Sequence, residues 1–163
     1  MKLILPLFVE IPRKKSPNKR FYLGLNPYRN THFQILNQAK EAYKGLVSDA
    51  YFYYCNLPGN KLLPPPPYLF QYTVFPGSAR KFDLANILSI VQKFTDDSLI
   101  DLGVIPDDSY KIIRSIEYHF GAVDKTSPRV ELEISSPFEG RIKHVDVPKE
   151  GTRMPREIVP EVA

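Results

Sequence analysis

Sixteen prolines are spread through 163 residues, and they limit how far any regular element of this chain can run. Proline lacks a backbone N–H and has a fixed φ, so it stops strands and disrupts interior helical turns. Pro12 ends an apolar, partly β-branched run over residues 2–11, which reads as a strand. A basic loop follows, with Ser16-Pro17-Asn18 as its turn. Phe21, Tyr22 and Leu23 resume an extended path that Asn26-Pro27 breaks. Pro64 to Pro67 form a stiff polyproline II connector, a type of segment that proline-recognising partners also bind. Pro76-Gly77-Ser78 ends the aromatic and β-branched strand 68–75, and Pro106 closes a short apolar segment over 98–105.

Between these breaks the periodicity is clear. With Thr31 as N-cap, Leu36, Ala39, Tyr43, Leu46, Val47 and Ala50 recur at three- and four-residue spacing, which predicts an amphipathic helix of roughly five turns. A second helix is expected from about Leu84 to Phe94, with Leu84, Ile87, Leu88 and Val91 as its apolar face. Residues 111–120 read as a strand with Ile112, Ile116, Tyr118 and Phe120 on one side. Residues 129–135 alternate Val130, Leu132 and Ile134 against Arg129, Glu131 and Glu133, the pattern of a strand with one wet face. These last two strands are expected to pair antiparallel as a hairpin. The predicted fold is α+β: a small mixed or antiparallel sheet of three to five strands with two main helices packed on it. Its domain covers residues 1–135, and 136–163 form a flexible tail whose pattern dissolves into prolines and mixed charge.

Composition narrows the chemistry. A single cysteine, Cys55, excludes an internal disulfide, and it reads as a small residue packed beside Tyr53 and Tyr54. The short apolar N-terminus is interrupted by Pro6 and Glu10, so it reads as a strand and not a signal peptide. No apolar run approaches the length of a membrane span, and a reducing, cytoplasmic setting is expected. His32, His119 and His144 stand at no metal-ligand spacing, and no phosphate-binding glycine loop or nucleophile-elbow motif is found.

Charge is distributed unevenly. Residues 1–30 carry Lys2, Arg13, Lys14, Lys15, Lys19, Arg20 and Arg29 against Glu10, a local excess of +6 in a chain whose net charge is +4. A basic patch of this kind suits a polyanion.

The second helix carries the most informative pattern. Asn86, Ser89, Lys93 and Asp97 are spaced three, four and four, and align in one row if the helix runs that far. Asp83 stands at the N-cap, and Asp107-Asp108 precede a strand. Each has an ordinary structural reading, Asp83 as a cap and Asp107-Asp108 as a turn. Together they supply what phosphodiester hydrolysis needs. Carboxylates hold a hard cation such as Mg²⁺, the cation neutralises the phosphate and activates water, and a lysine steadies the developing charge. A basic patch would hold the flanking nucleic acid.

The run FDLANILSIVQKFTDDSLIDLGVIPDD resembles the RusA-like Holliday junction resolvases, a family of crossover junction endodeoxyribonucleases. Asp83 and Asn86 match the ends of that family's D-x-D-N motif. Lys93 and Asp97 match its lysine and aspartate, and Gly103, Asp107 and Asp108 match its closing G-x-x-x-D-D. Ile11-Pro12, Ser16, Asn18 and Tyr22 resemble the early family segment, and residues 128–132 resemble its last strand. The likeness covers roughly residues 3–135. Two features depart from it. Ala85 stands where the family has a second aspartate, and about four extra residues, near one helical turn, separate Asn86 from Lys93.

The resemblance implies a metal-dependent endonuclease that resolves four-way junctions by paired nicks in DNA recombination and repair. It implies a homodimer, since a two-fold pair supplies two equivalent sites. The host is expected to be a bacterial cell or one infected by a phage. Asp83, Asp107 and Asp108 are expected to hold Mg²⁺, with Mn²⁺ able to substitute, and Asp96, Asp97 or Asp101 to stand in for the carboxylate missing at Ala85. Lys93 is expected to act at the phosphate, and Asp97 to bind metal or orient Lys93. Asp83, Lys93, Asp97 and Asp108 are the expected catalytic set, with Asn86 beside them. Arg13, Lys14, Lys15, Lys19, Arg20, Arg80 and Lys81 are expected to contact the DNA backbone. Ala85 motivates an alternative, a catalytically weakened protein that binds branched DNA. A protein-interaction domain using the tetraproline run and the tail is the third reading.

Overall fold

The structure is a computed structural model describing residues 1–13, 16–60 and 62–137. The predicted tail lies outside the described residues from 138 onward, as do Lys14 and Lys15. The fold is α+β. Its elements in chain order are β1 (Lys2–Leu5), β2 (Phe8–Ile11), β3 (Lys19–Tyr22), α1 (Leu25–Asn30), α2 (Phe33–Asn56), β4 (Tyr68–Phe75), α3 (Leu84–Asp101), β5 (Ile113–Phe120) and β6 (Arg129–Ser135). Four strands form the main sheet in the order β1-β6-β4-β5, and β2 and β3 form a separate antiparallel hairpin.

The predicted strand over 2–11 is two strands. Pro6 breaks it, and the halves serve different sheets: β1 pairs with β6, β2 with β3. The predicted hairpin of the last two strands is also not formed. β4 lies between them, antiparallel to β6 and parallel to β5, with Tyr72 in register with both Leu132 and Tyr118. Residues 121–128 therefore cross over β4, held where Asp124 N–H donates to Pro76 O at 2.8 Å. Alternation sets the core side of each strand. Leu3, Leu5, Phe70, Tyr72, Val74, Val130, Leu132 and Ile134 point inward and are almost completely buried.

The helices cover that inner face. α2 packs on β1 and β2, and α3 lies against α2, β4 and β5. Tyr43 and Phe94 meet edge-on at 5.8 Å in the seam between α2 and α3. α2 is capped by His32 and not by Thr31: its Nδ1 accepts from the Gln34 N–H at 3.4 Å. Where Asn26-Pro27 predicts only a break, the short helix α1 forms. Pro27 is tolerated because it sits in the first turn, where N–H groups have no helical partner. Cys55 is exposed, not packed. Among the described residues no helix is long and apolar enough to cross a membrane.

One close approach fixes the end of β5. Gly121 donates to Val74 O at 2.8 Å, and a Cβ on it would stand 2.6 Å from Phe75 Cε1. Gly121→Ala is expected to cost about 1–3 kcal/mol through forced displacement of the ring. A urea midpoint equal to that of the parent would refute this.

Candidate functional site

α3 positions most of the candidate residues. Asp83 starts it, its Oδ1 accepting from the Ala85 N–H at 3.0 Å. The helix extends well past Phe94, so the row Asn86, Ser89, Lys93, Asp97 does form. It faces α1 and α2. Asn86 Oδ1 accepts from the Leu25 N–H at 2.8 Å. The N-cap position of α1 is Gly24, which has no side chain to offer, so Asn86 caps α1 from the neighbouring helix. Ser89 Oγ, one turn on, is buried without a hydrogen-bond partner among the described residues. Asp97 stands between two lysines, 3.6 Å from Lys40 and 4.0 Å from Lys93, and Lys44 pairs with Asp101 at 2.7 Å.

The end of α3 explains the glycine of the closing motif. Gly103 has φ +68, donates to Ile100 O at 2.9 Å, and lets Val104 N–H return to Leu99 O at 2.9 Å. These two bonds are a Schellman motif, and its left-handed residue favours glycine. The reversal buries Ile105 and delivers Asp107-Asp108 to an exposed turn before β5. Asp107 Oδ1 accepts from the Ser109 N–H at 2.7 Å, and hydrogen bonding by Ser109 holds its carboxyl below the ordinary range.

The reversed turn places Asp108 close enough to Asp96 for its charge to act there. Asp96 is 3% exposed. Its Oδ1 accepts from the Tyr72 hydroxyl and its Oδ2 from Gln92 Nε2, both at 3.0 Å. Tyr118 in turn donates to Gln92 Oε1. Burial pushes the Asp96 carboxyl up to about 6; the bonds from Gln92 and Tyr72 oppose this, and the charges of Asp108 and Asp97 reinforce it. The sequence offers Asp96 only as one of three stand-ins for Ala85. Nothing in the spacing of β4 and β5 marks its tyrosine neighbours as site residues.

Asp83 does not join this group. Fourteen residues of helix separate it from Asp97, about 21 Å of rise, so the two cannot touch one ion. Among the described residues no group of three or more His, Cys, Asp or Glu side chains is arranged to hold a metal ion. The acidic end of α3 therefore offers an exposed Asp108 and half-exposed Asp97 beside Lys93, and not a ready ligand shell. His119 lies on the outer face of the sheet, 3.0 Å from Glu117.

The basic candidates lie apart from this end. Lys19 and Arg20 are on β3, Arg13 follows β2, and Arg80 and Lys81 are exposed on the segment leading into α3. No model of a known protein family matches the chain, and no curated protein matches it either.

Proposed function

We propose that this chain is a divalent-metal-dependent endonuclease acting on branched DNA, of the RusA-like kind, working as a homodimer that nicks two strands. The acidic end of α3 carries the reading: Asp108 and Asp97 both bear electrostatically on buried Asp96, with Lys93 one turn before Asp97. Mg²⁺ keeps several waters and is commonly held by one or two carboxylates together with substrate phosphate. Asp108 and Asp97 are the residues that would hold it, and Lys93 is placed to meet a phosphate oxygen. When bound, such an ion neutralises the phosphodiester and lowers the pKa of a water. Asp83, at the far end of the helix, is assigned to capping.

A four-way junction assay with and without Mg²⁺ tests this. Metal-dependent paired nicks support the nuclease. Junction binding without nicks at any protein concentration removes it and leaves the second reading, a protein that binds branched DNA without cutting. Ala85 and the spread-out carboxylates favour that second reading.

Both readings need the basic N-terminal segment. Reversing the charge of Lys14, Lys15 and Lys19 together is expected to weaken DNA binding. It should also shallow the slope of log K against log salt by about one for each phosphate no longer neutralised. An unaltered slope would turn attention to the tetraproline run and a protein partner.

A further inference from the structure

The outer face of the β2–β3 hairpin is unlike the inner one. Val9, Ile11 and Phe21 point into the core, while Phe8, Glu10, Arg20 and Tyr22 point out. Phe8 and Tyr22 are directly cross-strand, with ring centroids 5.6 Å apart, and the Arg20 guanidinium stands 4.7 Å over the Phe8 ring. Tyr22 is nevertheless 55% exposed. This aromatic pair lines a cleft of about 460 Å³ together with Gly77, Ser78 and the first turn of α3 at Asn86 and Ile87. Ligand pockets run from about 300 to 1,000 Å³, so the cleft is roomy enough for a nucleotide.

We propose that this cleft takes one unpaired nucleobase of the DNA, stacked on Tyr22, with Arg20 on its phosphate. The inference rests on the DNA-binding reading and extends it, because no candidate residue at the acidic end of α3 lines this cleft. Three properties point to this occupant. An exposed ring offers a π-face that any base can cover, and a guanidinium beside it meets the backbone anion. The Glu10 carboxylate lies 3.5 Å from Arg20 and the Tyr22 hydroxyl also stands beside the guanidinium; both contacts are solvent-exposed and contribute little, so a phosphate can displace them. The hairpin also lies within the segment of greatest positive excess, residues 1–30. A branch point interrupts stacking, so a base there can be unpaired at less cost than one within a continuous duplex.

Two DNA probes with the same gapped, branched backbone test it, one carrying 2-aminopurine in its unpaired segment and the other an abasic residue there. The full chain is expected to bind the 2-aminopurine probe more tightly and to quench its fluorescence. Tyr22→Ala should lose the quench and weaken that probe by roughly 5- to 100-fold, leaving the abasic probe unaffected. Tyr22→Phe should retain both signals, because the ring and not the hydroxyl stacks, and unchanged binding of the abasic probe by Tyr22→Ala separates lost stacking from a loosened hairpin. Equal affinity for the two probes without a quench overturns the base site while DNA binding stands. No binding to either probe overturns the DNA reading and the base site with it. Tyr22→Ala also loses its packing on Phe8, so a modest fall in thermal midpoint is expected; Ser78→Leu, which narrows the cleft with Tyr22 intact, should reproduce the loss of quench, and a full quench in that variant would overturn the base site.

Discussion

Asp96→Asn is expected to stabilise the protein at pH 7.5 by about 3 kcal/mol and to leave it nearly unchanged at pH 3.5. The carboxyl ionises near 3.8 in an unfolded chain and near 6 in this fold. A folded pKa above the unfolded one means that the native state holds its proton more tightly. Between about pH 4 and pH 6 the unfolded chain has released that proton while the folded one keeps it, so stability falls as pH rises through the window. Above both values the full difference applies, about 3 kcal/mol from a shift of roughly two units. An amide matches the protonated carboxyl in shape and cannot ionise. It can accept from Tyr72, and rotation of the Gln92 amide supplies the second bond. Urea unfolding of the two proteins from pH 3.5 to 7.5 checks the claim. A difference in stability that does not grow between pH 4 and pH 6 would refute the buried carboxylate as the source.

Asp108→Asn is expected to lower junction nicking by more than roughly 100-fold without changing junction binding. Loss of a group that only supports a metal's ligands already costs 10- to 100-fold, and a direct ligand should cost more. Asp108 is exposed on the turn after α3, so the change should not affect folding. A second signature is independent of activity. The Asp108 charge helps raise Asp96, so its removal should move the Asp96 titration downward, which carboxyl NMR can follow. Full nicking activity in the variant would rule Asp108 out of the site, and an unmoved Asp96 titration would show that the two carboxylates are not neighbours.

The sequence marks elements well where one periodicity dominates. The strands 68–75 and 129–135 stand where alternation places them, and the two main helices begin close to where their spacing predicts, but α2 runs on to Asn56 and α3 past Phe94 to Asp101, taking in the start of the apolar segment over 98–105. Pairing is harder to see. The turn-like residues 121–128 suggest a hairpin, yet β4 takes the position between β5 and β6, because a strand of Tyr68, Phe70, Tyr72 and Val74 gains most where both neighbours cover its edges. The candidate site is legible as a set of residues and not as a place. The row on α3 is visible in its spacing, but its direction toward α1 and α2 depends on which face of the helix meets the sheet. Asn86 shows the difference: its spacing marks it as a site residue, while its hydrogen bond is a cap on α1. The Asp96 network is hidden for a related reason. It joins residues from α3, β4 and β5 that no local spacing connects.

The pairing of β1 with β6 has a consequence for synthesis. The Met1 ammonium donates to Ile134 O at 2.7 Å, and Leu3 and Leu5 stand opposite Leu132 and Val130. β1 therefore has no strand partner until nearly the last described residue has left the ribosome. Until then its two leucines and its backbone groups wait beside the β2–β3 hairpin, which can close early because its strands are neighbours in sequence. Such long-range pairing slows folding and exposes an unpaired edge to other chains meanwhile.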